Sequence, residues 1–183
     1  EPAFLVTAAE RTSAMKGRAS VVRSREELLA GTRAGAQPEP SWGMDPDEIS
    51  ILLFTSGTTG APKAAVLRHH HLVSYILGSV EFGAAAEEDA VLVSVPPYHI
   101  AGVASVLSSL YSGRRIVQLP AFTAETWLRV ARSEAVTNAF VVPTMLSRII
   151  DALEDTAAAD LPALRALSYG GGKMPLPVVE RAM

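Results

Sequence analysis

The chain contains no cysteine. Disulfide scaffolds, thiolate zinc sites and thiol nucleophiles are thereby excluded, and a reducing cytoplasmic compartment fits. An excess of one charge is also missing: sixteen Lys plus Arg stand against nineteen Asp plus Glu, a formal net charge of −3. A protein that binds nucleic acid by neutralising phosphates carries a basic excess, so no nucleic-acid partner is expected. Charged residues make up only 19% of the chain, against 49% hydrophobic ones. That much apolar surface excludes disorder, because its burial offsets the entropy lost on ordering. With 183 residues, one domain or two small ones can form a substantial core.

Between Asp89 and Arg114 the chain has no Asp, Glu, Lys or Arg. A stretch of that length is a membrane-span candidate, but Pro96-Pro97-Tyr98-His99 and several serines interrupt it. A buried strand, a loop and a buried helix are expected instead, with no transmembrane segment. Nothing resembling a basic-then-apolar leader follows Glu1, and residues 177–183 carry a helical pattern with no capping glycine. The chain is therefore expected to be a piece of a longer protein.

Weak strand signals at residues 4–8 and 20–22 are followed by Ser24-Arg25-Glu26-Glu27, a capping-box pattern that opens a short helix. Residues 31–46 turn to Gly, Pro, Gln and Ser, the composition of a linker or surface loop. Residues 1–46 are accordingly expected to form an N-terminal segment and linker belonging to the same large domain as residues 47–183. From there strands are expected at 49–54, 63–67, 91–95, 115–119, 136–142 and 164–169. Helices are expected at 70–82, 101–111, 144–153 and from a Thr123 cap to Ser133. Several strands are apolar throughout, as in a sheet covered by helices on both faces. The expected class is α/β, with a mostly parallel, doubly wound sheet.

The loop Thr55-Ser56-Gly57-Thr58-Thr59-Gly60-Ala61-Pro62-Lys63 holds four hydroxyls, two glycines and one lysine, and no acid. Hydroxyl and backbone N–H groups donate to phosphate oxygens, glycine admits close approach, and lysine brings a point charge. A Walker loop counted from Gly57 requires Gly at 62 and a hydroxyl at 64, where the chain has Pro62 and Ala64. Gly170-Gly171-Gly172 fails the dinucleotide fingerprint, since the third required glycine falls on Pro175. A plain surface turn at 55–62 is the alternative. His69-His70-His71 cannot converge on one ion from a helix, so no metal site is expected there. Trp42 and Trp127 are expected to be packing residues.

Phe54-Thr55-Ser56-Gly57-Thr58-Thr59-Gly60-Ala61-Pro62-Lys63 resembles the signature of the adenylate-forming (AMP-binding) superfamily, in its acyl-CoA synthetase branch. In the same order, Val95-Pro96-Pro97-Tyr98-His99-Ile100-Ala101-Gly102 resembles the second motif of that family, and Tyr169-Gly170-Gly171-Gly172-Lys173-Met174-Pro175 its adenine-site segment. Two departures stand out: Ala64 replaces a usual Gly, and Lys173 a common Pro.

The resemblance implies an ATP-dependent carboxylic acid–CoA ligase, with a fatty acid as the first candidate substrate. ATP and the acid form an acyl-adenylate and pyrophosphate, and the thiol of coenzyme A then takes the acyl group. It implies that Thr55, Ser56, Gly57, Thr58, Thr59, Gly60 and Lys63 line the phosphate path. It places Gly170, Gly171, Gly172 and Lys173 at the adenine and His99 at the acyl pocket near the adenylate. Lys63 and His99 are the expected catalytic residues. The main Mg²⁺ ligand, a Glu in the family, is not among these residues, and the 183-residue piece alone is expected to be inactive. The alternatives are a peptide-synthetase adenylation domain, which usually shows Phe-Asp where this chain has Tyr98-His99, and a non-catalytic nucleotide-binding paralogue.

Overall fold

The computed structural model describes residues 4–7, 9–17, 21–33, 45–55, 63–153 and 159–183, which divide into two compact units, Glu1–Met44 and Asp45–Met183. In the first unit, β1 (Phe4–Thr7) pairs in parallel with β2 (Val21–Ser24), with the short helix α1 (Thr12–Met15) between them. Helix α2 (Arg25–Arg33) follows at once. Its start is the expected capping box: Glu27 N–H donates to Ser24 Oγ at 3.1 Å, and Ser24 N–H donates to Glu27 Oε2 at 2.8 Å. Most of the expected linker lies outside the described residues.

The second unit opens with β3 (Ile49–Thr55) and β4 (Lys63–Arg68), then α3 (His69–Ser79). The two strands are antiparallel and form a sheet of their own, beside the mostly parallel sheet expected from the sequence, which the remaining strands supply. An apolar run looks alike in either orientation. The connection, residues 56–62, is nevertheless too short for a parallel crossover, which takes a dozen residues or more.

The remainder is a parallel α/β sheet: β5 (Ala90–Val93), α4 (Ile100–Ser112), β6 (Arg115–Gln118), α5 (Ala124–Ser133), β7 (Asn138–Val141), α6 (Pro143–Asp151), β8 (Ala166–Tyr169) and α7 (Leu176–Ala182). The strand order is β6-β5-β7-β8, all parallel. The chain first steps outward from β5 to β6, then crosses back to β7 and on to β8. Right-handed crossovers in opposite directions place α4 on one face and α5 and α6 on the other, so the sheet is doubly wound. In agreement, α5 packs on α6, and α4 on α3.

The two faces are filled differently. Trp127, Leu128, Val136, Val141, Leu146 and Ile149 are buried in one continuous cluster beneath α5 and α6. Thr123 caps α5, its hydroxyl accepting from Thr126 N–H at 3.1 Å. Helix α4 instead turns Gly102, Ser109 and Ser112 inward. Gly102 closes tightly on the loop before the helix, while Ser105, Ser108 and Ser109 border a groove between that helix and the sheet. At the amino edge, the buried Thr137 hydroxyl accepts from Ala90 N–H at 3.0 Å, joining β7 to β5. No described helix is long and apolar enough to cross a membrane.

Candidate functional site

Strand order reverses between β5 and β7, and ligands of open α/β sheets bind beyond the carboxyl ends of strands at such a point. Two of the segments singled out in the sequence leave the sheet at that edge. His99 ends the loop from β5 and forms the N-cap of α4, with an extended backbone (φ −109°, ψ 142°). Gly170-Gly171-Gly172 leaves β8. Strands β5 and β8 are two positions apart, on the order of 10 Å across the sheet.

The His99 loop is held by its backbone. His99 N–H donates to Pro96 O at 3.1 Å, and Gly102 N–H donates to His99 O at 3.0 Å. The imidazole is exposed and lies 4.8 Å, centroid to centroid, from the Tyr98 ring. Its position at a helix start, open to solvent, suits contact with a ligand rather than core packing.

The glycine loop rests on β7. Gly170 N–H donates to Val141 O at 3.3 Å, and a Cβ at Gly170 would lie 3.1 Å from the Phe140 ring. Gly171 has φ +80°, the left-handed region where glycine is favoured. Phe140 O in turn accepts from Ser94 Oγ at 3.2 Å, so β5, β7 and the glycine loop form one connected edge. Sequence reasoning passed over Ser94 and Phe140, and quoted Gly102 only as the last residue of the His99 motif without giving it a role. The signal for Gly102 was a helix-interior glycine two residues after the helix begins. Ser94 and Phe140 carry no local signal, because their roles arise only from strand pairing. Lys173 is exposed, with no side-chain hydrogen bond or ion pair among the described residues.

The hydroxyl-rich loop belongs to the β3–β4 hairpin. Thr55 and Lys63 are cross-strand partners at its base, with Lys63 exposed. The pairing gathers the ends of the nine-residue motif on adjacent strands. Ser56, Gly57, Thr58, Thr59 and Gly60 lie outside the described residues. The composition of this loop, with hydroxyls, glycines and a cation and no acid, suits the polyphosphate of a nucleotide. Among the described residues no cluster of three His, Cys, Asp or Glu could hold a metal ion. The neighbouring histidines are used locally: His70 Nδ1 lies 3.1 Å from Pro46 O and 3.2 Å from Asp47 Oδ1, and His71 Nδ1 accepts from Arg68 N–H at 3.0 Å.

Two cavities flank α4. Toward α3 lies an apolar one of about 130 Å³, lined by Leu67, Leu72, Ile100, Val103 and Leu107 among others. Toward the sheet lies a groove of about 270 Å³, bordered by Ala101, Ser105, Ser109, Arg114, Asn138 and Phe140 among others.

The sequence matches the family described as AMP-binding enzyme over residues 3–183. It is 34% identical over 135 residues to the 2-succinylbenzoate–CoA ligase of Bacillus licheniformis, covering 73% of this chain and 27% of that enzyme. The o-succinylbenzoate CoA synthetase (MenE) of Bacillus subtilis in complex with the acyl-adenylate intermediate OSB-AMP is 27% identical, with a TM-score of 0.77 over 98% of this chain and 45% of that one. The same enzyme with ATP and magnesium ion gives a TM-score of 0.75, covering 98% of this chain and 36% of that one. The N-terminal domain of FACL13 from Mycobacterium tuberculosis, at 23% identity, shares the fold with a TM-score of 0.81 over 97% of this chain and 46% of its own. The chain spans less than a third of the length of the Bacillus licheniformis relative.

Proposed function

This chain belongs to the AMP-binding enzyme family, and from that premise we propose that it is part of an ATP-dependent carboxylic acid–CoA ligase. The reading is carried by one observation: a family match over residues 3–183 whose motif residues include a glycine loop and a His-capped helix at the switch-point edge of the sheet. A carboxylate is a poor electrophile, and adenylation turns it into a mixed anhydride with a good leaving group. Negative charge moves onto the departing pyrophosphate, where fixed donors and a cation stabilise the transition state. Thr55, Ser56, Thr58, Thr59 and Lys63 take that task, with Gly57 and Gly60 admitting the phosphates closely.

Gly170, Gly171, Gly172 and the backbone at Lys173 border the adenine and the acyl carbonyl. His99 contacts the adenylate at the acyl end. It is not assigned as a base, since a carboxylic acid is already ionised at neutral pH. Magnesium, when bound with ATP, neutralises phosphate charge, and its main protein ligand is assigned to residues other than these. Coenzyme A is the acceptor, the cytoplasm the compartment, and fatty acids belong to the acid class to be tried.

The names of the relatives support a CoA ligase over the two alternatives. Tyr98-His99 in place of Phe-Asp also disfavours an amino-acid-activating domain, which needs a carboxylate to pair the substrate amine. The test is acid-dependent exchange of pyrophosphate into ATP by the full-length protein. Exchange that requires a carboxylic acid supports the ligase. Nucleotide binding with no exchange for any acid points to the non-catalytic paralogue.

A further inference from the structure

The groove between α4 and the sheet is polar at its far end. Ser109 Oγ and Arg114 Nε are both fully buried without a hydrogen-bond partner, and both residues line the groove. They are held together, Arg114 N–H donating to Ser109 O at 2.8 Å. Ser105, Ser108, Asn138 and Ser168 add further polar groups to the lining. No acidic side chain among the described residues forms an ion pair with Arg114. Buried polar atoms left unpaired are costly, and beside a lined cavity the partner is supplied from the cavity, by water or by a ligand.

Direction adds the second part. Helix α4 starts at the carboxyl edge beside His99 and ends at the amino edge, just before Arg114 opens β6. From Ala101 to Ser109 the helix rises about 12 Å along its axis. Asn138 and Ala166, the first residues of β7 and β8, line the same distal end. The groove therefore leads from the edge where the acid is activated to the half-buried guanidinium of Arg114, whose Nε is unpaired, and the buried hydroxyl of Ser109.

We propose that this groove receives the acyl chain of an acid bearing a second carboxylate on the order of 10 Å from the first, and that Arg114 and Ser109 bind that distal carboxylate. Arg114 is thus a specificity-determining residue, its guanidinium meeting the carboxylate through charge-assisted hydrogen bonds. The proposal rests on the acid–CoA ligase reading and names its substrate class, a medium-length dicarboxylic acid.

The probes are octanoic and octanedioic acids, which differ only at the distal end. The full-length protein is compared with its Arg114→Leu, Arg114→Lys and Ser109→Ala variants by pyrophosphate exchange, and by the thermal shift each acid produces. The expected result is at least a tenfold higher kcat/KM for octanedioic acid in the parent. Arg114→Leu should lose that preference mainly through KM, Arg114→Lys should keep part of it, and Ser109→Ala should weaken it. An equal or greater preference for octanoic acid in the parent, or the same order of acids in all variants, overturns the proposal. Should Arg114→Leu fail to fold, Arg114→Lys and Ser109→Ala carry the same comparison. Absence of exchange with every acid defeats the ligase reading by itself. The thermal shift then judges the groove separately: stabilisation by octanedioic acid alone, diminished in Arg114→Lys, upholds it, and no difference between the acids rejects it.

Discussion

Gly102 sits directly against the backbone of Pro96: a Cβ on Gly102 would fall 2.5 Å from Pro96 O and 2.7 Å from Val95 O. Both obstacles are main chain, so neither can swing aside as a side chain could. The first turn of α4 and the loop bearing His99 are thereby locked together. Gly102→Ala should lower stability by about 1–3 kcal/mol, the range for overpacking a tight site. Denaturant unfolding measures it, and a midpoint equal to the parent's would show that the loop yields freely.

Thr123 gives a smaller and cleaner effect. Its hydroxyl is the N-cap acceptor of α5, a helix that carries Trp127 and Leu128 into the core. Thr123→Ala should cost about 1 kcal/mol and Thr123→Ser almost nothing. Equal losses in the two variants would mean that the methyl group, rather than the cap, matters.

Glu88 supplies a pH-dependent term. A hydrogen bond from its own backbone N–H lowers its pKa below the ordinary value, helped by Arg165, whose Nη2 lies 3.2 Å from Glu88 Oε1. A carboxylate depressed in the folded state stabilises the protein above its unfolded pKa. That contribution disappears as pH falls through the lower, folded value. The pair is solvent-exposed and screened, so the contribution is small. Titration of the Glu88 carboxyl by NMR should show the lowered pKa, moving upward in Arg165→Gln. A titration unchanged by that substitution would assign the shift to the backbone alone.

Much of this architecture was legible because its signals are local. The Ser24–Glu27 box, the Thr123 cap and the apolar run of β5 each declare themselves within a few residues. Gly170-Gly171-Gly172 was legible as a strand-end loop, and the structure shows it leaving β8 at the carboxyl edge. Long-range relations were not legible. The antiparallel pairing of β3 with β4 depends on loop length rather than on the apolar run itself. The Ser94–Phe140–Gly170 linkage depends on register between strands far apart in sequence, Ser94 and Phe140 being 46 residues apart. Arg114 enters the sequence reading only as the end of the charge-free stretch that begins after Asp89. Only the fold shows its Nε buried in the groove beneath α4.

Lys63 tests the phosphate side of the proposed site. In the full-length protein Lys63→Ala should slow adenylation by about 2–4 kcal/mol of transition-state stabilisation, while leaving affinity for the acid nearly unchanged. Single-turnover kinetics with varied acid separates the two effects. Loss of acid affinity with an undiminished rate would move Lys63 away from the pyrophosphate.

The most direct measurement of the ligase account is to look for the intermediate itself. Full-length protein is incubated with ATP, magnesium and a panel of mono- and dicarboxylic acids, without coenzyme A, and the bound nucleotides are identified by mass spectrometry. The account predicts an acyl-adenylate with at least one acid, converted to the acyl-CoA thioester when coenzyme A is added. Bound ATP that stays intact with every acid would contradict it.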